Sequence, residues 1–262
     1  MTKMINIFVY TFYVVCVLIV LGVLLFDHFL FRVYVLPTGS MEPVINEKSL
    51  AYNFTNEGGV YGTFRLLKNV TGLWLVQECR RLWAESGVMY SWKEIITLAK
   101  DSPAFKSFID SDDPAFLKPD DMRSTIQDYC KTTNQIVPES PGAILRCIFE
   151  SLALKYRWVI NHLEELLRNK IEVIHIIGGG SQNELLCQMT SDTTGKDVIA
   201  GPIEATAIGN AIMQAIALGY LDSLAKGREM VSRSFPLVSY HPKSKDGWDE
   251  AFQRFKIISD SK

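Results

Sequence analysis

Residues 171–218, IEVIHIIGGGSQNELLCQMTSDTTGKDVIAGPIEATAIGNAIMQAIAL, decide how this 262-residue chain is read. The apolar run from Ile171 to Ile177 reads as a buried strand, with His175 alternating into it as a structural residue. It leads straight into Gly178, Gly179 and Gly180, then Asn183 and an amphipathic helix over 183–194. Glycine reaches positive φ and carries no Cβ, so a backbone built from this triplet can approach a flat ring or a phosphate closely. Unpaired N–H groups at the start of the following helix favour an anion there. A second short strand, 197–200, and a second apolar helix, 205–218, follow at once. The chemistry implied is nucleotide binding, although a plain strand-to-helix connection uses the same residues. The triplet is not GxGxxG, and the chain has no GxxxxGK[ST], so neither a dinucleotide fingerprint nor a P-loop is available.

Outward from this stretch the pattern is mainly helical. Apolar spacing predicts helices over 72–86, 92–100, 119–132 and 141–169 upstream, and over 224–233 and 247–259 downstream. A segment rich in Asp, Ser and Pro, 101–119, reads as a loop. The net charge is −2 and no basic stripe interleaved with aromatics occurs, which argues against a nucleic-acid partner. The five cysteines show no CxxC spacing and the four histidines are scattered, so no metal site is expected. Cys130 and Cys147 would pair only in an oxidising compartment.

The arrangement strand, GGG, helix, strand, helix resembles the adenosine-binding part of the FGGY carbohydrate kinases. The resemblance extends to AYNFTNEGGVYGTFRLLKNVTGLWLVQECRRLW (51–83) and PESPGAILRCIFESLAL (138–154), which are similar to the rhamnulokinase branch of that family. It runs from about residue 42 to residue 240. It implies an α/β, ribonuclease-H-like domain of the actin/hexokinase type, the C-terminal half of a two-domain kinase. It also implies ATP with Mg²⁺ as the nucleotide, and L-rhamnulose as the sugar of an intact kinase. Asn69, Gln77 and Gly179 carry over as nucleotide contacts, with Gly178, Gly180 and Asn183 completing the turn. Without the resemblance, Asn69 reads as a helix cap and Gln77 as a solvated helix residue. In the family, the catalytic aspartate and a Gly-Thr phosphate loop precede the region matching Val44. No residue here inherits those roles, so the chain is expected to bind nucleotide without phosphorylating sugar. The face that would meet the other domain is expected to be uncovered.

The first residues are of a different kind. Ile5 to Phe26 contains no charged residue. That is long enough to cross a bilayer core of about 30 Å at about 1.5 Å per residue. Aromatic residues at both ends suit a membrane interface. The following VLPTGSMEP (35–43) resembles the start of a type I signal peptidase, in which the serine matching Ser40 is the nucleophile. Such a serine needs a base, and no segment resembling the family's lysine strand follows; a turn hydroxyl is the simpler reading of Ser40. The sequence thus divides into a single-pass anchor, 1–43, and a kinase-like domain, 44–262, of about 220 residues, enough for its own core. The resemblance places the kinase part in the cytoplasm, whereas signal peptidases place the corresponding region outside it. A membrane-anchored binding module without catalysis is the third reading.

Overall fold

The computed structural model describes Ser49 and residues 51–259. The expected span 5–26, Ser40 and the boundary at residue 43 lie outside these residues. No helix among the described residues is long and apolar enough to cross a membrane.

A hairpin comes first: β1 (Thr55–Gly58) pairs antiparallel with β2 (Phe64–Leu67), Thr55 opposite Leu67. Four helices follow: α1 (Trp74–Glu85), α2 (Trp92–Asp101), α3 (Met122–Thr132) and α4 (Pro141–Leu167). The remainder alternates. It runs β3 (Val173–Ile176), α5 (Glu184–Thr194), β4 (Asp197–Ala200), α6 (Ala205–Ala217), α7 (Leu224–Ser234), β5 (Val238–Tyr240) and α8 (Trp248–Ser259).

The spine is α4. Ser140 caps it by accepting from the Ala143 N–H, and Pro141 occupies the first turn, where its missing N–H costs nothing. Ile144, Leu145, Ile148, Phe149 and Leu152 recur at helical spacing and are buried. Each such side chain contributes roughly 1.5–3 kcal/mol by leaving water. Against this stripe pack Leu75, Val76, Cys79 and Trp83 of α1, Ile95 and Ala99 of α2, and Trp248, Phe252 and Phe255 of α8. Helix α2 begins with a capping box between Ser91 and Glu94. It lies so close to α4 that a Cβ on Gly142 would come 2.6 Å from the Leu98 carbonyl oxygen. Helix α3 starts at Met122 rather than Pro119, because the Asp121 carboxylate accepts from the Arg123 and Ser124 N–H groups and fixes the start there.

One charge is deep in this core. Glu150 is fully buried and is held by Arg146 Nε at 2.5 Å and by the Phe105 N–H at 2.8 Å. Burial is the main influence on its carboxyl and raises its pKa above the usual range, against the pull of Arg146.

The sheet that carries the glycine turn is thinner. β3 pairs parallel with β4, Ile174 opposite Val198, and β4 pairs antiparallel with β5, Ile199 opposite Ser239. Its own buried cluster is Cys187, Val198 and Ala200. The expectation of a buried β3 is corrected here: Val173 and His175 are exposed, and Ile174 and Ile176 are only partly covered. Among the described residues β3 pairs with β4 alone and is therefore an edge strand. His175 projects on the uncovered side, and the structural role read for it from alternation does not hold. Helix α6 is rich in Ala and Ile yet has no buried residue. Leu218, Tyr220 and Met230 are exposed nearby in sequence.

β1, β2 and β5 are not legible by alternation, since they are three or four residues long and include Asn, Glu, Gly, Arg and Ser. Cys79, Cys130, Cys147 and Cys187 are free, buried thiols.

Candidate nucleotide groove

The turn after β3 is built on Gly178. Its φ of 75° and ψ of −165° belong to a region that essentially only glycine occupies. The Gly178 N–H donates to the Pro202 carbonyl at 3.2 Å, and the Gly201 N–H donates to the Ile176 carbonyl at 2.8 Å, so the ends of β3 and β4 are stitched together beneath the turn. A single 3₁₀ turn, Gly179–Gln182, separates it from α5. The N–H groups of Gly179 and Gly180 open that turn and so precede its internal bonds. A Cβ on Gly179 would meet nothing within 4 Å, and one on Gly180 would meet only Leu73 Cδ1 at 3.9 Å. This bare backbone forms one wall of an open groove of about 780 Å³.

The opposite walls come from α1 and α2. Trp74 and Trp92, each 43% exposed, line the groove together with Leu73 and Ile96. Gln77 is exposed on α1 and reaches the same space, as do Lys93 and Thr97. The Arg80 guanidinium lies over the Trp92 ring, 5.3 Å from its centroid. Asn183 lines the groove but its Oδ1 accepts from the Leu186 N–H at 3.0 Å, so the side chain caps α5. Donors for an anion therefore come from the glycine backbone more than from the first turn of α5.

The structure brings Gln77, Gly179, Gly180 and Asn183 to one groove, with Gly178 shaping the turn from behind. It does not bring Asn69 there. Asn69 lines a separate cavity of about 660 Å³, beside Lys68, Asp110, Asp112, Lys155 and Trp158. In that cavity Lys155 Nζ holds Asp110 at 2.7 Å and Asp112 at 3.0 Å. Asp112 Oδ1 accepts from the Thr71 N–H at 2.9 Å, tying the Asn69 segment to the loop after α2. Burial lowers the Lys68 pKa, Lys155 acts in the same sense, and Asp112 and Asp110 oppose.

Sequence reasoning did not find the tryptophan pair or this charge cluster. Trp74 sits inside the quoted GLWLVQ, so its proximity to Gln77 was a usable signal. Lys155 and Asp110 are 45 residues apart, and nothing local joins them. Among the described residues no group of three His, Cys, Asp or Glu side chains is placed to hold a metal.

The profile of the FGGY family of carbohydrate kinases, C-terminal domain, matches residues 35–218. The chain belongs to this family. The matched range starts ahead of Val44 and includes the PTGSMEP stretch. Among curated FGGY relatives, the chain is 50% identical over 214 residues to the rhamnulokinase of Bacteroides thetaiotaomicron, covering 82% of this chain and 43% of that protein. It is 43% identical over 205 residues to the rhamnulokinase of Oceanobacillus iheyensis, covering 78% and 43%. The chain thus spans less than half the length of these relatives. Among solved structures it is similar to the xylulose kinase of Rhodospirillum rubrum, with TM-score 0.45 and 16% identity over 72% of this chain and 36% of that one. It is also similar to Plasmodium falciparum glycerol kinase with ADP, with TM-score 0.47 and 15% identity over 69% and 35%.

Proposed function

We propose that this chain is the nucleotide-binding part of a carbohydrate kinase of the rhamnulokinase type, and that its ligand is ATP. The observation that carries the reading is the groove. Bare glycine backbone stands on one side, and two half-exposed tryptophans with Gln77 stand on the other. A purine is flat and apolar on its faces and polar at its edge, which suits Trp74 and Trp92 with Gln77. Phosphates suit the free N–H groups of Gly179 and Gly180. The domain contains no three-ligand metal cluster among its described residues, so Mg²⁺ would arrive with the phosphates and be held mainly by them. Bound there, Mg²⁺ would neutralise charge on the phosphate oxygens.

The sugar L-rhamnulose belongs to the reading through the relatives' names, as the substrate of an intact kinase. In this reading no residue of the chain is assigned the family's catalytic aspartate, so this polypeptide should bind ATP without turning over sugar. Calorimetric titration with ATP tests the groove. The expected result is a saturable site that is lost in Gly179→Val, which places a branched side chain in the open space above the turn, and weakened in Gln77→Ala. Binding unchanged in both variants would place the nucleotide elsewhere. A coupled assay with ATP and L-rhamnulose should stay at background; turnover comparable to that of a full-length kinase would overturn the inactive reading.

The anchor over 5–26 remains a separate proposal that rests on composition, with 44–262 as the kinase part on the cytoplasmic side. Carbonate extraction of membranes tests it: retention in the pellet supports a span, and release into the supernatant removes it.

A further inference from the structure

The Asn69 cavity holds an ammonium group with unmet hydrogen-bonding capacity. The Lys68 side chain is 7% exposed, yet its nearest carboxylate oxygen, on Asp112, is 4.0 Å away, beyond hydrogen-bond reach. The neighbouring carboxylates are already taken. Asp110 Oδ1 accepts from Lys155 and from the Asp112 N–H, and Asp110 Oδ2 accepts from Ser259 Oγ at 3.0 Å. Asp112 is divided between the Thr71 N–H and Lys155. Lys155 therefore has two close carboxylates while Lys68 has none. The Lys68 ammonium lies over the Trp158 ring at 5.5 Å and the Phe54 ring at 6.0 Å, but no described carboxylate is within hydrogen-bond distance of it, and an anionic oxygen arriving from the cavity would supply that bond.

The rest of the lining fits an oxyanion with a small organic body. Asn53 and Asn69 are exposed on the cavity wall, and each amide supplies two donors. Tyr52 and Trp158 add aromatic surface, their ring centroids 5.8 Å apart. The space, about 660 Å³, exceeds what a bare phosphate fills.

We propose that Lys68, with Asn69 and Asn53, forms a second binding site, separate from the glycine groove, for a phosphate group, either free or carried as a small phosphate monoester. This does not depend on the groove being a nucleotide site.

The test is calorimetric titration of the full chain with inorganic phosphate and, in parallel, with glycerol 1-phosphate. Wild-type protein should bind at one site with Kd at or below about 1 mM. Lys68→Met should weaken binding by about 10-fold or more while keeping the wild-type circular dichroism spectrum, and Lys68→Arg should restore much of it. Tighter binding of the ester assigns the site to phosphate monoesters, and equal affinities assign it to free phosphate. Gly179→Val separates the two sites: it should keep phosphate binding whether or not it loses ATP. The proposal is overturned by absence of saturable binding in the wild type. It is equally overturned by Lys68→Met binding like wild type, or by Gly179→Val abolishing phosphate binding, which would place the anion on the glycine turn.

Discussion

The helical layer and the glycine-turn layer of this domain are built to different standards. Around α4, side chains from α1, α2, α3 and α8 fill a contiguous core that includes Phe108, Phe116, Phe149 and Phe255 at 0% exposure. Around β3, β4 and β5 the buried cluster is Cys187, Val198 and Ala200, while Val173 and Ile177 of the same strand run stand 38% and 55% exposed. The lesson is a division of labour. The helical layer supplies rigidity, and the turn layer supplies an accessible backbone at the cost of apolar surface left open to water. Local stability is expected to differ accordingly, with the turn layer opening more readily.

The sharpest way to break this comparison is inside the helical core. Phe149→Ala removes a fully buried ring from α4 and should cost about 3–5 kcal/mol, read as a fall in the denaturant midpoint. A cost below about 1 kcal/mol would mean the core is looser than its burial implies. Next comes the turn. Gly178→Ala forces a Cβ into a conformation that costs of order 1–3 kcal/mol of strain, although the space beside it is open. Its destabilisation should be smaller than that of Phe149→Ala but accompanied by loss of ATP affinity. Gly179→Ala, at an ordinary φ with nothing within 4 Å, should leave stability within about 0.5 kcal/mol of wild type.

The seam between the layers can be tested by pH. Glu164 at the end of α4 is joined to Lys196 at 2.6 Å, to the Ile171 N–H at 2.9 Å and to Lys170 at 3.0 Å. Partial burial pushes its carboxyl up, but these partners together outweigh it and bring the pKa from 4.5 to about 2. A depressed carboxylate contributes stability that is present above its unfolded pKa and lost as pH falls through the folded one. Glu164→Gln should therefore be less stable than wild type at neutral pH. The gap should close between about pH 4.5 and pH 2, as followed by thermal melts. A gap that persists at pH 2 would show that the seam is held by packing instead. The smallest effect belongs to the uncovered surface: Leu218→Ser, at 71% exposure, should change stability by no more than about 0.5 kcal/mol.

What the sequence disclosed follows the same division. The helices were legible because their apolar stripes repeat at 3.6 residues, whereas the caps Ser91, Asp121, Ser140 and Asn183, which fix their starts, were not read, so α3 was expected from Pro119. The glycine turn was legible as a turn because three glycines in a row after an apolar run break the strand, although a plain strand-to-helix connection would use the same residues. The hairpin β1–β2 was not, since TNEG and FRLL hold no alternation to detect. Burial of β3 was misjudged because an apolar run reports what a strand can bury, and its cover depends on neighbours distant in sequence. Asn69 and Gln77 are eight positions apart in one motif, yet the backbone between them turns from the strand end into α1 and delivers them to different cavities.

Gly142, inside the helical layer, bears on the groove from behind. Because it has no Cβ, α2 can lie against α4 at a distance no other residue would allow. Helix α2 is also the element that presents Trp92 and Ile96 to the groove. The aperture available to a ligand is thus gauged from the far side of the wall, by a residue that meets no ligand. Enlarging Gly142 by a single methyl would act on the groove as a wedge driven behind a door frame, changing its opening without altering any surface the ligand touches.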